Sequence, residues 1–159
     1  VVYYDCGWSN YYPSDNYPFM YKCRSANSSI IKYRYADVLL LKAEALIMQD
    51  TPDLEGAADI IDEVRDRAKL GALSSSTRSN KDALLNALLK ERRLELAFEG
   101  QRWFDLVRLD KVEEVMNAVH AKDSGRKAQV YTYDKNSYRL PIPQSVIDAN
   151  DKIHQNPGY

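Results

Sequence analysis

Apolar and polar residues follow a helical rather than a strand period over most of the chain, and the longest such pattern runs from Ser79 to Leu109. Leu85, Leu89, Arg92 and Leu96 recur at i, i+4, i+7 and i+11 on one stripe, beside a second stripe of Leu84, Leu88, Glu91 and Glu95. The spacing predicts a helix whose apolar face carries a guanidinium and two carboxylates. Ser79 with Asp82 predicts a capping-box-like start. Gly100 predicts the stop, because glycine takes the left-handed conformation of a C-terminal cap. A second short helix, from about Gln101 to Leu109, puts Trp103, Leu106 and Val107 on one side and Arg102, Asp105 and Arg108 on the other. Charges placed on either side of such a bend read as a structural ionic corner of Glu91, Arg92, Glu95, Glu99, Arg102 and Asp105, with Arg92 paired to Glu95, Glu99 or Asp105.

Upstream, Val38, Leu41 and Ala45 alternate with Leu39, Ala43 and Leu46, which predicts a helix apolar on most of its circumference and buried between others. Thr51-Pro52-Asp53 reads as the next start, with a hydroxyl cap, a proline in the first position and an acid in the first turn. Leu54, Ala57, Ala58, Ile61, Val64 and Ala68 then give one apolar stripe, closed by Arg67, Lys69 and Gly71. Small alanines at a crossing and a short link predict a hairpin of tetratricopeptide type, which buries too little alone and needs neighbours.

Gly71 to Asn80 reads as a serine-rich linker. Asp110 with Glu113 predicts another capped start, with Val112, Val115, Met116 and Val119 as a fourth stripe. Lys122 to Lys127 is polar loop. Gln129–Tyr133 and Tyr138–Leu140 alternate like two short strands around Asp134-Lys135-Asn136-Ser137, predicting a small β-hairpin. The end reads as an extended strap: Leu140-Pro141-Ile142-Pro143, a short helix from about Gln144 to Ala149, and a turn at Pro157-Gly158. Ile142, Ile153 and Tyr159 are the apolar anchors expected to dock it, since the strap offers almost no hydrogen bonding of its own.

The expected fold is mainly α: tetratricopeptide-like helical hairpins, an irregular aromatic N-terminal arm (1–29), a helical core (30–121), then the β-hairpin and strap (122–159). The arm holds Tyr3, Tyr4, Trp8, Tyr11, Tyr12, Tyr17, Phe19 and Tyr21, eight of a complement of 12 Tyr, 3 Phe and 2 Trp. Large rings serve burial first, so packing is their first reading. The functional reading is a carbohydrate platform in which Trp8, Tyr11 and Tyr12 stack on sugar faces while Asn, Asp and Ser take the hydroxyls.

With 159 residues, 45% hydrophobic and 28% charged, the chain is of a size and composition to bury its own core. A net charge of −1 from 22 basic and 23 acidic residues, without a basic block, lacks the footprint of nucleic-acid binding. No run approaches the roughly 20 apolar residues of a membrane span, and no leader opens the chain, so a cytosolic protein or a mature fragment is expected. Cys6 and Cys23 either close a disulfide or remain free thiols. Cys6 follows Tyr4 and Asp5 rather than the small residues of a lipoprotein processing site.

Carboxylates one turn apart suggest the acid pair of a glycosidase. Neighbouring arginines argue the other way, because they favour ionised carboxylates where a general acid needs a protonated one. No catalytic residue, no metal ligand set and no cofactor motif is therefore assigned; His120 and His154 stand alone.

Three blocks carry a resemblance. The run Glu91-Arg92-Arg93-Leu94-Glu95-Leu96-Ala97-Phe98-Glu99-Gly100-Gln101-Arg102-Trp103-Phe104-Asp105-Leu106 resembles the signature of the SusD/RagB family. Arg34-Tyr35-Ala36-Asp37-Val38-Leu39-Leu40-Leu41 through Ala43-Glu44-Ala45 agrees, as does Leu140-Pro141-Ile142-Pro143 through Gln155-Asn156-Pro157-Gly158-Tyr159. The resemblance implies a C-terminal domain of a non-catalytic outer-membrane lipoprotein that captures oligosaccharides at the cell surface. It further implies a lid on a SusC-like TonB-dependent transporter, and membrane contact only through a lipid anchor absent from this chain. It makes the corner structural and places most ligand groups upstream. The rival reading is a helical-repeat adaptor that binds a peptide in the groove of the Ile31–Leu70 hairpin.

Overall fold

The computed structural model describes residues 31–122 and 132–159, with backbone alone from 120 to 122. Trp8, Tyr11, Tyr12, the rest of the aromatic arm and both cysteines lie outside the described residues. Every described element is helical. Helices α1 (Tyr35–Met48), α2 (Leu54–Arg67), α3 (Ser75–Arg78) and α4 (Lys81–Glu95) belong to one compact unit that ends at Glu99. A second unit from Gly100 holds α5 (Arg102–Arg108), α6 (Val112–Lys122), a one-turn 3-10 helix (Lys135–Tyr138) and α7 (Gln144–Asp148).

In the first unit α1 packs on α2 and α4, and α2 packs on α4. The shared core is Leu40, Ala43 and Ile47 from α1, Ala57, Ala58, Ile61 and Val64 from α2, and Leu84 and Leu88 from α4. Ala43, Ala57 and Ala58 are completely buried, and their small side chains let the α1 and α2 backbones approach closely. The all-round burial expected of α1 is not found: Tyr35, Val38 and Met48 stay more than half exposed. Two neighbours cover one face of a helix, and Asp37, Leu40, Ala43, Glu44 and Ile47 occupy it.

The helix ends differ from the sequence expectations for identifiable reasons. Asp53, not Thr51, caps α2, its carboxylate accepting the Gly56 N–H at 2.9 Å. Of the residues expected to close that helix, Lys69 (φ +59) rather than Gly71 takes the left-handed position; its N–H donates to the Asp66 carbonyl and that of Leu70 to the Arg65 carbonyl, a Schellman pair. The serine-rich stretch is not plain linker. Ser74 caps the single turn of α3, which makes Ser79 its C-cap and leaves Asn80 to cap α4 through the Ala83 N–H at 2.9 Å. Helix α4 also stops at Glu95, short of Gly100, where Arg34 Nη2 donates to the Glu95 carbonyl at 2.5 Å. A guanidinium thus satisfies a helix-end carbonyl that would otherwise face an open turn. Phe98 (φ +66) and Gly100 (φ +80) carry that turn.

In the second unit α5 packs on α6, with Leu106 and Val112 fully buried. Asp110, expected to open α6, instead closes α5 with φ +53: its N–H donates to the Val107 carbonyl and that of Lys111 to the Leu106 carbonyl. Its carboxylate is then available to accept the Tyr138 O–H at 2.5 Å.

Most of the first strand of the expected β-hairpin, residues 129–131, lies outside the described residues, and the described part, from Thr132 on, holds no strand. Asp134 accepts N–H groups from Asn136 and Ser137 while the Ser137 hydroxyl accepts the Asp134 N–H, a reciprocal cap that winds Lys135–Tyr138 into a 3-10 turn. Before it, the Asn117 side chain on α6 holds Tyr133 by both its N–H and its carbonyl, each at 3.0 Å, much as a neighbouring strand would. The Tyr133 ring lies 6.5 Å from the Trp103 ring at a 58° tilt.

The strap has more hydrogen bonding of its own than expected. The Gln155 amide accepts the Ile142 N–H at 2.8 Å and donates to the Ile142 carbonyl at 2.9 Å; Asn156 donates to the Leu140 carbonyl at 2.6 Å. Side-chain amides thereby replace the ladder that Pro141 and Pro143 cannot extend.

The Asp110–Tyr138 contact gives a prediction in pH. The hydrogen bond to Asp110 pushes the Tyr138 hydroxyl up to about 12, while the same bond, helped by Lys135, holds the Asp110 carboxyl below its ordinary value. A raised acid stabilises the fold below its unfolded value and loses that contribution as pH rises through the folded one. Tyr138 therefore stops contributing between about pH 10, the free tyrosine value, and about pH 12. The depressed Asp110 contributes above the ordinary carboxylate range and loses its contribution as pH falls through its own, lower value. In a ¹³C-tyrosine NMR titration Tyr138 is expected to ionise later than an unperturbed tyrosine, and Asp110→Asn should bring it back towards 10. A Tyr138 resonance that titrates at 10 in the unsubstituted chain contradicts this.

Candidate functional site

Two kinds of site are built on these elements: the charged set that ties the first unit together, and surface depressions. Arg34, the residue before α1, donates through Nε to Glu99 at 2.9 Å and through Nη1 to Glu95. Burial works against its charge, but the hydrogen bonds to Glu99 and Glu95 outweigh it and raise its pKa. Arg67, at the end of α2, also bonds the Glu95 carboxylate. Glu91 is 3% exposed and accepts from Arg65 Nη1 at 3.0 Å, while Arg65 Nε donates to the Gly71 carbonyl.

Arg92 is 2% exposed, and its Nη1 sits 2.9 Å from Oδ1 of Asp37 on α1, itself 2% exposed. The contact is a close charge pair without hydrogen-bond alignment, which leaves Oδ1 without a hydrogen bond. Asp37 is thus a partner of Arg92 that the sequence reading did not name. In the second unit Arg102 opens α5, half-buried, and the buried Asp105 accepts from Arg108 at 3.0 Å.

Arg34, Asp37, Arg65 and Arg67 are the members of this set that the expected corner leaves out. The available signal was a carboxylate in an apolar stripe: Asp37 shares the 37–40–44–47 face with Leu40 and Ile47, where only a buried partner makes a charge tolerable. Chemically the set is a clasp. Carboxylates held by arginines from other segments fix helix ends and do not present an acid–base pair across a cleft. Among the described residues no group of three or more His, Cys, Asp or Glu could hold a metal ion. None of their helices is long and apolar enough to cross a membrane.

Two depressions lie within single units. One, of about 440 Å³, runs between α1 and α2 and is lined by Arg34, Tyr35, Ala36, Leu39, Glu63, Val64 and Arg67. The other, of about 400 Å³, lies between the 3-10 turn and the end of the strap, lined by Thr132, Asp134, Asn136, Ser137, Gly158 and Tyr159.

Packed helices locked by arginine–carboxylate bridges, with open depressions on their surface, define an all-helical scaffold among the described residues. The chain belongs to the SusD family, whose model matches residues 6–159. It is 41% identical over 139 residues to SusD-like protein P38 of Formosa agariphila, covering 84% of this chain and 25% of that protein. SusD-like protein P2 of the same organism is 34% identical over 142 residues, covering 86% and 27%. The crystal structure of a SusD-like protein from Bacteroides fragilis superposes with a TM-score of 0.61 at 30% identity, over 79% of this chain and 25% of that one. The chain spans about a quarter of the length of these relatives.

Proposed function

We propose that this chain is the C-terminal part of a non-catalytic cell-surface protein that binds oligosaccharides and works as the lid of a SusC-like TonB-dependent outer-membrane transporter. The family match across residues 6–159 carries this reading. The lipid anchor and most of the glycan site belong, on this reading, to the remainder of a protein about four times as long, in keeping with the share of the relatives matched. The helices here supply the frame: arginine bridges hold their ends and leave ligand chemistry to rings and amides on loops.

Calorimetry of the longer protein and of this 159-residue chain against an oligosaccharide panel tests the proposal. Micromolar binding by the longer protein is expected, with the chain at least a hundredfold weaker, because each ring–sugar contact is small against the entropy lost on binding. Co-purification with the transporter is expected of the longer protein. Binding to no glycan, or hydrolysis of one, would overturn the reading. The α1–α2 depression, apolar along Tyr35, Leu39 and Val64 and charged at Arg34, Glu63 and Arg67, supports a second reading, a peptide-binding adaptor. Retention of a peptide but no sugar would favour it.

A further inference from the structure

We propose that the depression between the 3-10 turn and the strap end is a carbohydrate-contact subsite for a neutral sugar, with the Tyr159 ring stacking on an apolar sugar face and Asn136, Asp134 and Thr132 taking hydroxyls. This rests on the oligosaccharide reading above and adds a location and a ligand class to it. The volume, about 400 Å³, lies in the range of small-ligand sites. Its lining is an aromatic ring beside amide, carboxylate and hydroxyl groups, the combination that satisfies a sugar's alternation of C–H faces and O–H edges.

The groups are held in place before any ligand arrives. Asp134 Oδ1 accepts the Asn136 N–H at 2.8 Å and the Ser137 N–H at 3.3 Å, and Asn136 Nδ2 donates to Asp134 Oδ2 at 3.1 Å. The Asn136 amide is thereby oriented, with its Oδ1 open to accept. Tyr159 is 58% exposed, and its hydroxyl donates to the Arg139 carbonyl at 3.2 Å, which tethers the ring at its far edge and leaves ring surface open. Gly158 brings the two halves together. Its φ of +95 suits glycine, and a Cβ there would stand 2.8 Å from the Asn136 Cβ, so any side chain would push the strap and its tyrosine away from the amide. Fixed polar groups lower the ordering cost that makes single sugar contacts weak.

Charge sets the class of sugar. Asp134 is the charged side chain of the lining, and although burial works against its ionisation, the backbone N–H groups of Asn136 and Ser137 outweigh that and keep it ionised at neutral pH. It accepts from neutral hydroxyls and repels uronates and sulfated sugars.

The test is a ¹⁵N-resolved NMR titration of the full chain with gluco-, xylo- and manno-oligosaccharides and with oligogalacturonate. Shift changes are expected at Thr132, the Asn136 amide and Gly158 with at least one neutral series and not with the uronate. Tyr159→Ala should weaken binding at least fivefold. Thr132→Ala, at an exposed residue, should weaken it about twofold; Tyr33→Ala, an exposed ring on the first unit, should leave it unchanged. Shift changes elsewhere, or affinity indifferent to both Tyr159→Ala and Thr132→Ala, would remove the subsite and leave the oligosaccharide reading standing. No shift with any member also removes the subsite, while the function itself falls only if the longer protein fails in calorimetry. Equal response to oligogalacturonate would overturn the neutral preference.

Discussion

Arg92→Ala is expected to destabilise the first unit by about 3–5 kcal/mol, the usual cost of stranding one partner of a buried ion pair. Arg92 and Asp37 are each 2% exposed and 2.9 Å apart, so deleting the guanidinium leaves a carboxylate with neither water nor a counter-charge at that oxygen. It also empties the volume of the largest fully buried side chain among the described residues. At about 2–4 °C per kcal/mol, the melting temperature should fall by roughly 6–20 °C. A double substitution, Asp37→Leu with Arg92→Met, removes both charges while keeping bulk, and should recover much of that loss because well-packed apolar residues often match a buried pair. Thermal unfolding by circular dichroism measures both variants. A single variant that melts within a degree or two of the parent would mean that water reaches Asp37; a double variant no better than the single would assign the loss to shape rather than charge.

The second large effect is expected in the apolar core. Leu40→Ala removes most of a completely buried side chain at the meeting of α1, α2 and α4, and should cost about 2–5 kcal/mol through lost transfer energy and the cavity left behind. Val38→Ala, two residues away on the same helix but 53% exposed, should stay within about 0.5 kcal/mol. Both residues belong to the same apolar run in sequence, so the contrast tests the one-sided burial of α1. Chemical denaturation with the slope held constant reads the two values. Comparable losses at both positions would mean that the Val38 face is covered in solution.

The sequence by itself determined the secondary structure of the helical part and the family. Period is a local property: Leu84, Leu88, Leu89, Arg92 and Leu96 needed no partner to declare a helix with charge on its inner face, and all five are buried. Helix ends were legible only to within a few residues. Asn80 competes with Ser79, Asp53 with Thr51 and Lys69 with Gly71, neighbours of similar capping chemistry or position within a residue or two, and the backbone path at the helix end picks the winner. The Asp134–Ser137 stretch suited a hairpin turn as well as a 3-10 turn, and the reciprocal Asp134–Ser137 cap selected the second. Partner choice belonged to the tertiary structure alone. Arg34 and Asp37 sit in one motif block, and Arg92, Glu95 and Glu99 in another more than fifty positions on, yet they are joined side chain to side chain. Periodicity can mark a charge as buried but not name its partner, because Coulomb attraction acts on distance in space. That distance exists only after Leu40, Ile61 and Leu88 have closed the core and carried the two blocks together.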